Sequence, residues 1–169
     1  MHGSQSILVA NDRPSDMPLI VGTLTRRGYT VITATDGKEA IRAHAWHPGK
    51  IDLLVTDVDM APMNGCELAT LLITAQSDLR VLFVSSHVGG EVLRRKQDIP
   101  GELVLPKPFT SDELLSKVGE ALHDHSPSRF GDSGVGAGLR DRVSKFWAVA
   151  SDRLAKNLLV RAHGGLGHG

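Results

Sequence analysis

LLVTDVDMAPMNG, Leu53–Gly65, runs from an apolar stretch into a turn that carries two acids, Asp57 and Asp59, with a third, Asp52, just before it. The run is short, β-rich and bounded by turn residues, so it reads as a buried strand that delivers Asp57 to its carboxyl end. Asp52 opens the same strand at its opposite end and reads as a solvated turn residue. The function of Asp57 depends on what the remaining strands bring beside it.

Four further runs match the first in kind: SILVAN (6–11), YTVITA (29–34), RVLFVS (80–85) and ELVL (102–105), with DLLVTD (52–57) as the third in order. Helical patterns alternate with them. Residues 15–27 stop at Gly28, 36–46 stop before His47-Pro48-Gly49, and 64–74 and 111–123 follow the third and fifth strands, with a shorter pattern near 91–97. Ser111 reads as an N-cap with acids in the first turn behind it. Repeated βα units of this kind predict a doubly wound, five-stranded parallel sheet of order 2-1-3-4-5, flavodoxin-like, with helices on both faces.

The chain of 169 residues holds 41% hydrophobic and 22% charged residues, a mix that supports a packed domain and excludes disorder throughout. One cysteine, Cys66, excludes a disulfide framework and a cysteine-rich zinc site, and reads as a core residue. The histidines show no metal-ligand spacing, and His44, His47, His123 and His125 read as surface. No apolar run nears the roughly 18 residues that span a bilayer, and MHGSQS lacks the features of a secretory leader, so the expected location is cytoplasmic.

The formal net charge of zero hides an asymmetry. Residues 1–124 hold 12 Lys and Arg against 16 Asp and Glu, whereas 125–169 hold 7 against 3. The expected organisation is a domain over 1–124, a flexible Gly/Ser/Pro-rich linker over 125–138, a basic amphipathic helix over 139–162 and a disordered tail over 163–169. Leu139, Val143, Trp147, Ala150, Leu154 and Leu158 form the helix's apolar stripe, flanked by Arg140, Lys145, Arg153 and Lys156. Docking on the first domain or pairing with a second copy is the first reading, and a partner or membrane-surface helix the second. DNA binding is not expected, because a helix-turn-helix needs two packed helices.

In a sheet of order 2-1-3-4-5 the first and third strands are neighbours, so Asn11-Asp12 and Asp57 converge at one rim, joined by Ser85 from strand four and Lys107 from strand five. Two acids this close repel unless a cation lies between them, and Mg²⁺ is the natural one. Asp57 then stays ionised as a nucleophile, while the metal, Lys107 and the Ser85 hydroxyl face the charge on an incoming phosphoryl group.

Taken alone, Asp57 would read as a strand-capping acid. The ordered set Asn11-Asp12, Asp57 in TDVDMAPMNG, Ser85 in FVSSH and Lys107-Pro108 in LPKPFT resembles the receiver domain of two-component response regulators, over residues 5 to about 122. The resemblance implies phosphorylation of Asp57 by a sensor histidine kinase or a histidine phosphotransfer protein. It implies Asp12, Asp57 and the Asp59 backbone carbonyl as Mg²⁺ ligands, with Asn11 acting through water, Ser85 as switch hydroxyl, Lys107 as phosphate-binding lysine, and a cis bond before Pro108. The side chains of Asp59 and His87 stand where that family tunes dephosphorylation. Output is expected through phosphorylation-dependent binding of a downstream protein at the surface of residues 91–123, with a homodimer through the C-terminal helix or a receiver face. This chain departs from the family at Asn11, where an acid is usual, and at Val104, where an aromatic is usual. The alternatives are a pseudo-receiver that binds partners without phosphorylation and a haloacid-dehalogenase-like phosphatase using Asp57 and Asp59, against which Ala61 stands four residues after the nucleophile.

Overall fold

The structure is a computed structural model and describes residues 4–86 and 104–123, all within the first of two units into which the chain divides, 1–133 and 134–169. The readings for 91–97, 125–138, 139–162 and 163–169, and for His87 and His125, lie outside the described residues. The strands are β1 (Ser6–Ala10), β2 (Thr30–Ala34), β3 (Leu53–Asp57), β4 (Arg80–Ser85) and β5 (Val104–Pro106), and the helices α1 (Met17–Arg27), α2 (Gly37–Trp46), α3 (Gly65–Ala75) and α4 (Ser111–His123). Strand order is β2-β1-β3-β4-β5, all parallel, as expected. Every residue of β1 and β3 is buried, which is why those strands read as unbroken apolar runs; edge strand β2 is buried only at Ala34.

Ile7 and Val9 of β1, Leu53 and Val55 of β3, and Leu82 and Val84 of β4 form one core with Ile20 and Leu24 of α1 and Leu114 and Val118 of α4. The alternate residues, among them Leu8, Leu54 and Phe83, serve the other face, where α2 and α3 pack together with their buried Ala40, Ile41, Leu68 and Leu72.

Three helices begin with a cap and a glutamate three residues later, reciprocal in two of them and in α2 shifted by one residue, the glutamate reaching the N–H before the cap. The Asp36 carboxylate accepts from the Glu39 N–H (2.7 Å) while Glu39 accepts from the Thr35 N–H (2.7 Å); Asn64 and Glu67 form a capping box; and the Thr110 N–H donates to Glu113 (2.7 Å) as the Glu113 N–H donates to Thr110 Oγ1 (3.3 Å). The cap of α4 is therefore Thr110, not Ser111, which is already helical and uses its hydroxyl to meet Thr23 Oγ1 of α1 at 2.9 Å. α1 ends at Gly28, whose φ of 99° closes the helix through N–H bonds to the Leu24 and Thr25 carbonyls.

Two surface readings are corrected. Asp52 lies at the far end of β3 as expected, yet its Oδ2 accepts from the Ser6 N–H (2.8 Å), joining the starts of β1 and β3. His44 is half-buried between α2 and α3 with Nε2 3.2 Å from Gln76 Oε1, because the Gln76 amide is itself anchored on the Ile51 carbonyl (2.7 Å). Burial holds the His44 pKa below its ordinary value, against the Gln76 bond and with a small contribution from His47. As pH falls below about 6.5 the unfolded chain takes up this proton first, so stability declines toward the lower folded pKa. Chemical denaturation of His44→Gln is expected to show a shallower loss of stability over that window.

Gly65 fixes how closely α3 starts beneath the end of β3. A Cβ there would fall 2.2 Å from the Asp57 carbonyl oxygen and 3.0 Å from Thr56 Oγ1, and the Gly65 N–H donates to the Val58 carbonyl at 3.1 Å. Gly65→Ala is expected to push α3 away from Asp57 and cost about 2 kcal/mol, read as a lower urea midpoint with unchanged m-value.

Candidate functional site

Asp57 is the last residue of β3 and is 1% exposed. Its Oδ1 accepts from the Asp59 N–H at 2.9 Å, and its Oδ2 pairs with the Lys107 ammonium. Arg13 stands further out, its Nε 3.9 Å from the same Oδ2 and its Nη1 3.4 Å from Ser86 Oγ. Both oxygens of this buried carboxylate are thus engaged, one by a backbone donor and one by an ammonium.

Strand register brings the other stations to the same edge. Thr56 is level with Ala10 and Asp57 with Val84, so Asn11 and Ser85 follow at the ends of β1 and β4. Ser85 is fully buried, and its carbonyl accepts from the Lys107 N–H at 2.8 Å, tying the lysine's backbone to the end of β4. The Lys107–Pro108 peptide is cis, as the resemblance implies, and so is Ala61–Pro62. Val104 opens β5 half-buried. Asp59 is exposed, and Cys66 is half-buried near the start of α3 rather than deep in the core.

Asn11 is 2% exposed, and its Oδ1 accepts from the Arg13 N–H at 2.8 Å. This bond turns Nδ2 the other way, where it has no hydrogen-bond partner among the described residues. A metal-bound water donates rather than accepts, so the water-mediated role expected of Asn11 falls to the remaining lone pair of Oδ1.

Among the described residues no three carboxylate, histidine or cysteine side chains gather as a metal cluster. The set read for Mg²⁺ is instead two carboxylates, Asp12 and Asp57, with the Asp59 carbonyl. Its donors are all oxygen, which suits a hard divalent cation. Asp12 is exposed and has no hydrogen-bond or ionic partner among the described residues, so its oxygens are free for a ligand.

The residue that sequence reasoning missed is Asp16. Its Oδ2 meets the Lys107 ammonium at 2.7 Å and its Oδ1 accepts from Ser15 Oγ at 3.1 Å. Partial burial alone would raise the Asp16 pKa; the Lys107 ammonium reverses this, and with Ser15 and the Asn11 amide holds the carboxyl below its ordinary value. A cleft of about 390 Å³ opens beside this pair, lined by Arg13, Asp16, Leu19, Ser86, Lys107 and Phe109 among others.

An aspartate buried at the switch point of a doubly wound sheet and paired with a lysine from the fifth strand defines a phosphoryl-accepting signalling class. Residues 7–119 match the response regulator receiver domain family, and the chain belongs to it. It is 32% identical over 125 residues to the sensor kinase CckA of Brucella abortus, covering 72% of this chain and 13% of that protein. The chemotaxis response regulator CheY4 of Vibrio cholerae superposes with a TM-score of 0.61 at 26% identity, covering 70% of this chain and 99% of that one. A CheX–CheY–BeF₃–Mg²⁺ complex from Borrelia burgdorferi gives a TM-score of 0.60 at 25% identity over 69% and 87%. The chain thus spans a small part of the curated sensor kinase and almost the whole of CheY4.

Removing the lysine leaves two acids facing one another. Lys107→Ala is expected to lower stability by about 3 kcal/mol in urea at neutral pH, and adding Asp57→Asn to return most of that loss, because the unpaired buried carboxylate carries the penalty.

Proposed function

We propose that Asp57 is the phosphoacceptor of a phosphorelay, charged by a sensor histidine kinase or a histidine phosphotransfer protein. The observation that carries this is the buried Asp57 side chain held at the end of β3 by the Lys107 ammonium. One Asp57 oxygen attacks phosphorus as the bond to the donor's imidazole nitrogen breaks, and that bond's electron pair leaves with the imidazole. The attacking oxygen carries no proton, so no general base is needed.

Lys107 follows the charge from the carboxylate onto the phosphoryl oxygens, and the buried Ser85 hydroxyl at the end of β4 donates to one of them. Asp12, Asp57 and the Asp59 carbonyl would hold Mg²⁺, with Asn11 behind them. When bound, the cation neutralises charge between donor and acceptor. The likeness to a Borrelia burgdorferi CheX–CheY complex that contains BeF₃ and Mg²⁺ supports a divalent cation as the partner of this receiver. Output is a surface altered by phosphorylation and read by a downstream protein, a two-state bias set by new charge at one site. Beyond the receiver, 125–138 serves as linker and 139–162 as a basic helix, and the division of the chain after residue 133 supports a boundary within that linker. The receiver works in the cytoplasm, where its phosphodonor resides.

Incubation with Mg²⁺ and acetyl phosphate is expected to add one phosphoryl group by intact mass, and Asp57→Asn to abolish it. An unmodified wild-type chain, or an adduct that survives Asp57→Asn, would refute the reading. No observation favours the phosphatase alternative: Asp59 is exposed, and Asp57 ends the third strand rather than the first.

A further inference from the structure

Asn11 leaves the end of β1 one acid short, and the structure fills the place from elsewhere. Asp16 occupies the N-cap of α1, where a carboxylate ordinarily accepts from the N–H of the second or third helical residue. It makes no such bond. The second helical residue is Pro18, which has no N–H, and the third is Leu19, where the other three described helices carry a glutamate. Freed from the helix, the carboxylate reaches Lys107 at 2.7 Å.

Lys107 is 11% exposed and lies between two carboxylates, Asp57 on β3 and Asp16 at the start of α1. The Asn11 amide is near enough to Asp16 to favour its charged form, although its Nδ2 is short of hydrogen-bond contact. An amide there is compatible with an acid at 16, whereas a second buried acid would repel it.

We propose that Asp16 is the positioning residue that holds Lys107 over Asp57, supplying from the start of α1 the second carboxylate that Asn11 does not. The proposal rests on the phosphoryl-accepting reading above. Its chemical sense lies in what happens to Asp57. Once phosphorylated, that side chain no longer offers a free carboxylate to the lysine, and the ammonium must follow the charge outward to the phosphoryl oxygens. Asp16, unaltered by the reaction, remains a partner of the ammonium while its other partner changes from the carboxylate to the phosphoryl oxygens, and so limits the range of the long, flexible side chain.

The test uses the full chain with Asp16→Asn, Asp16→Glu, Asn11→Asp and the double variant Asn11→Asp/Asp16→Asn. Two quantities are read: the rate of Asp57 phosphorylation by acetyl phosphate with Mg²⁺, and acetylation of Lys107 by an amine-reactive ester without phosphodonor, located by peptide mass. Asp16→Asn is expected to slow phosphorylation of Asp57 by about 10- to 100-fold, the scale of a misplaced reacting group, and to raise Lys107 labelling while other lysines are unchanged. Asp16→Glu keeps Lys107 protected, and the double variant recovers both quantities, which a merely structural loss at position 16 would not do.

Wild-type values in Asp16→Asn overturn the proposal, as does a loss that Asn11→Asp fails to restore when the double variant melts as the wild type does. If the wild-type chain forms no adduct while Lys107 labelling still follows Asp16, the phosphoacceptor reading fails and the placement of Lys107 by Asp16 stands.

Discussion

The contact between the Lys107 ammonium and the Asp57 carboxylate governs this domain. An ionised carboxylate 1% exposed at a strand end costs several kcal/mol unless a cation and a donor satisfy it, and here one lysine and one backbone N–H do so. That requirement fixes the surrounding geometry. β1 and β3 must be neighbours so that two loops open at the same rim, and β5 must end level with β4 so that Lys107 can donate its backbone N–H to the Ser85 carbonyl. Gly65 must lack a side chain so that α3 can begin against the carbonyl of Asp57 itself. Each constraint is local, but all act on one oxygen pair.

Much of this was legible because the central strands are buried on both faces. SILVA and LLVTD are unbroken apolar runs, and once two such strands are placed side by side their end residues follow without further choice. Boundaries slipped by a residue or two where a polar residue belongs to the ladder in sequence but to the turn in space, as at Asn11, Tyr29 and Asp52. The cap of α4 moved to Thr110 because Thr and Ser stand side by side and only the bond to Glu113 distinguishes them.

Asp16 escaped for a different reason. The first helical pattern, 15–27, takes Asp16 in as an ordinary helical position, and nothing in a single segment says that its carboxylate is aimed at a lysine 91 positions away. A comparative signal was present all the same. Asp36, Asn64 and Thr110 are each followed three residues later by glutamate, whereas Asp16 is followed by Leu19, with Pro18 removing a donor between them. The helix that breaks the pattern of its neighbours is the one whose capping residue serves the site.

The same comparison explains why an acid is better placed at 16 than at 11. Position 11 is 2% exposed, directly beside the end of β3, so a carboxylate there would be desolvated and close to Asp57 with one lysine to share. The Asp16 side chain is 26% exposed, and its distal oxygen keeps a hydroxyl partner in Ser15 while the other faces Lys107. It offers the lysine the same unit of charge with less loss of hydration and with greater distance from the nucleophile. Asn11 then accepts from the Arg13 N–H, which shapes the loop that places Arg13 Nε 3.9 Å from Asp57. At 45% exposure that guanidinium contributes little to the resting fold, but it stands at the mouth of the pocket, where negative charge emerges when a phosphoryl group is added to Asp57. The departure from the usual acid at position 11 therefore redistributes charge around Lys107 rather than removing it, and leaves Asp57 as the least hydrated and most constrained carboxylate of the set.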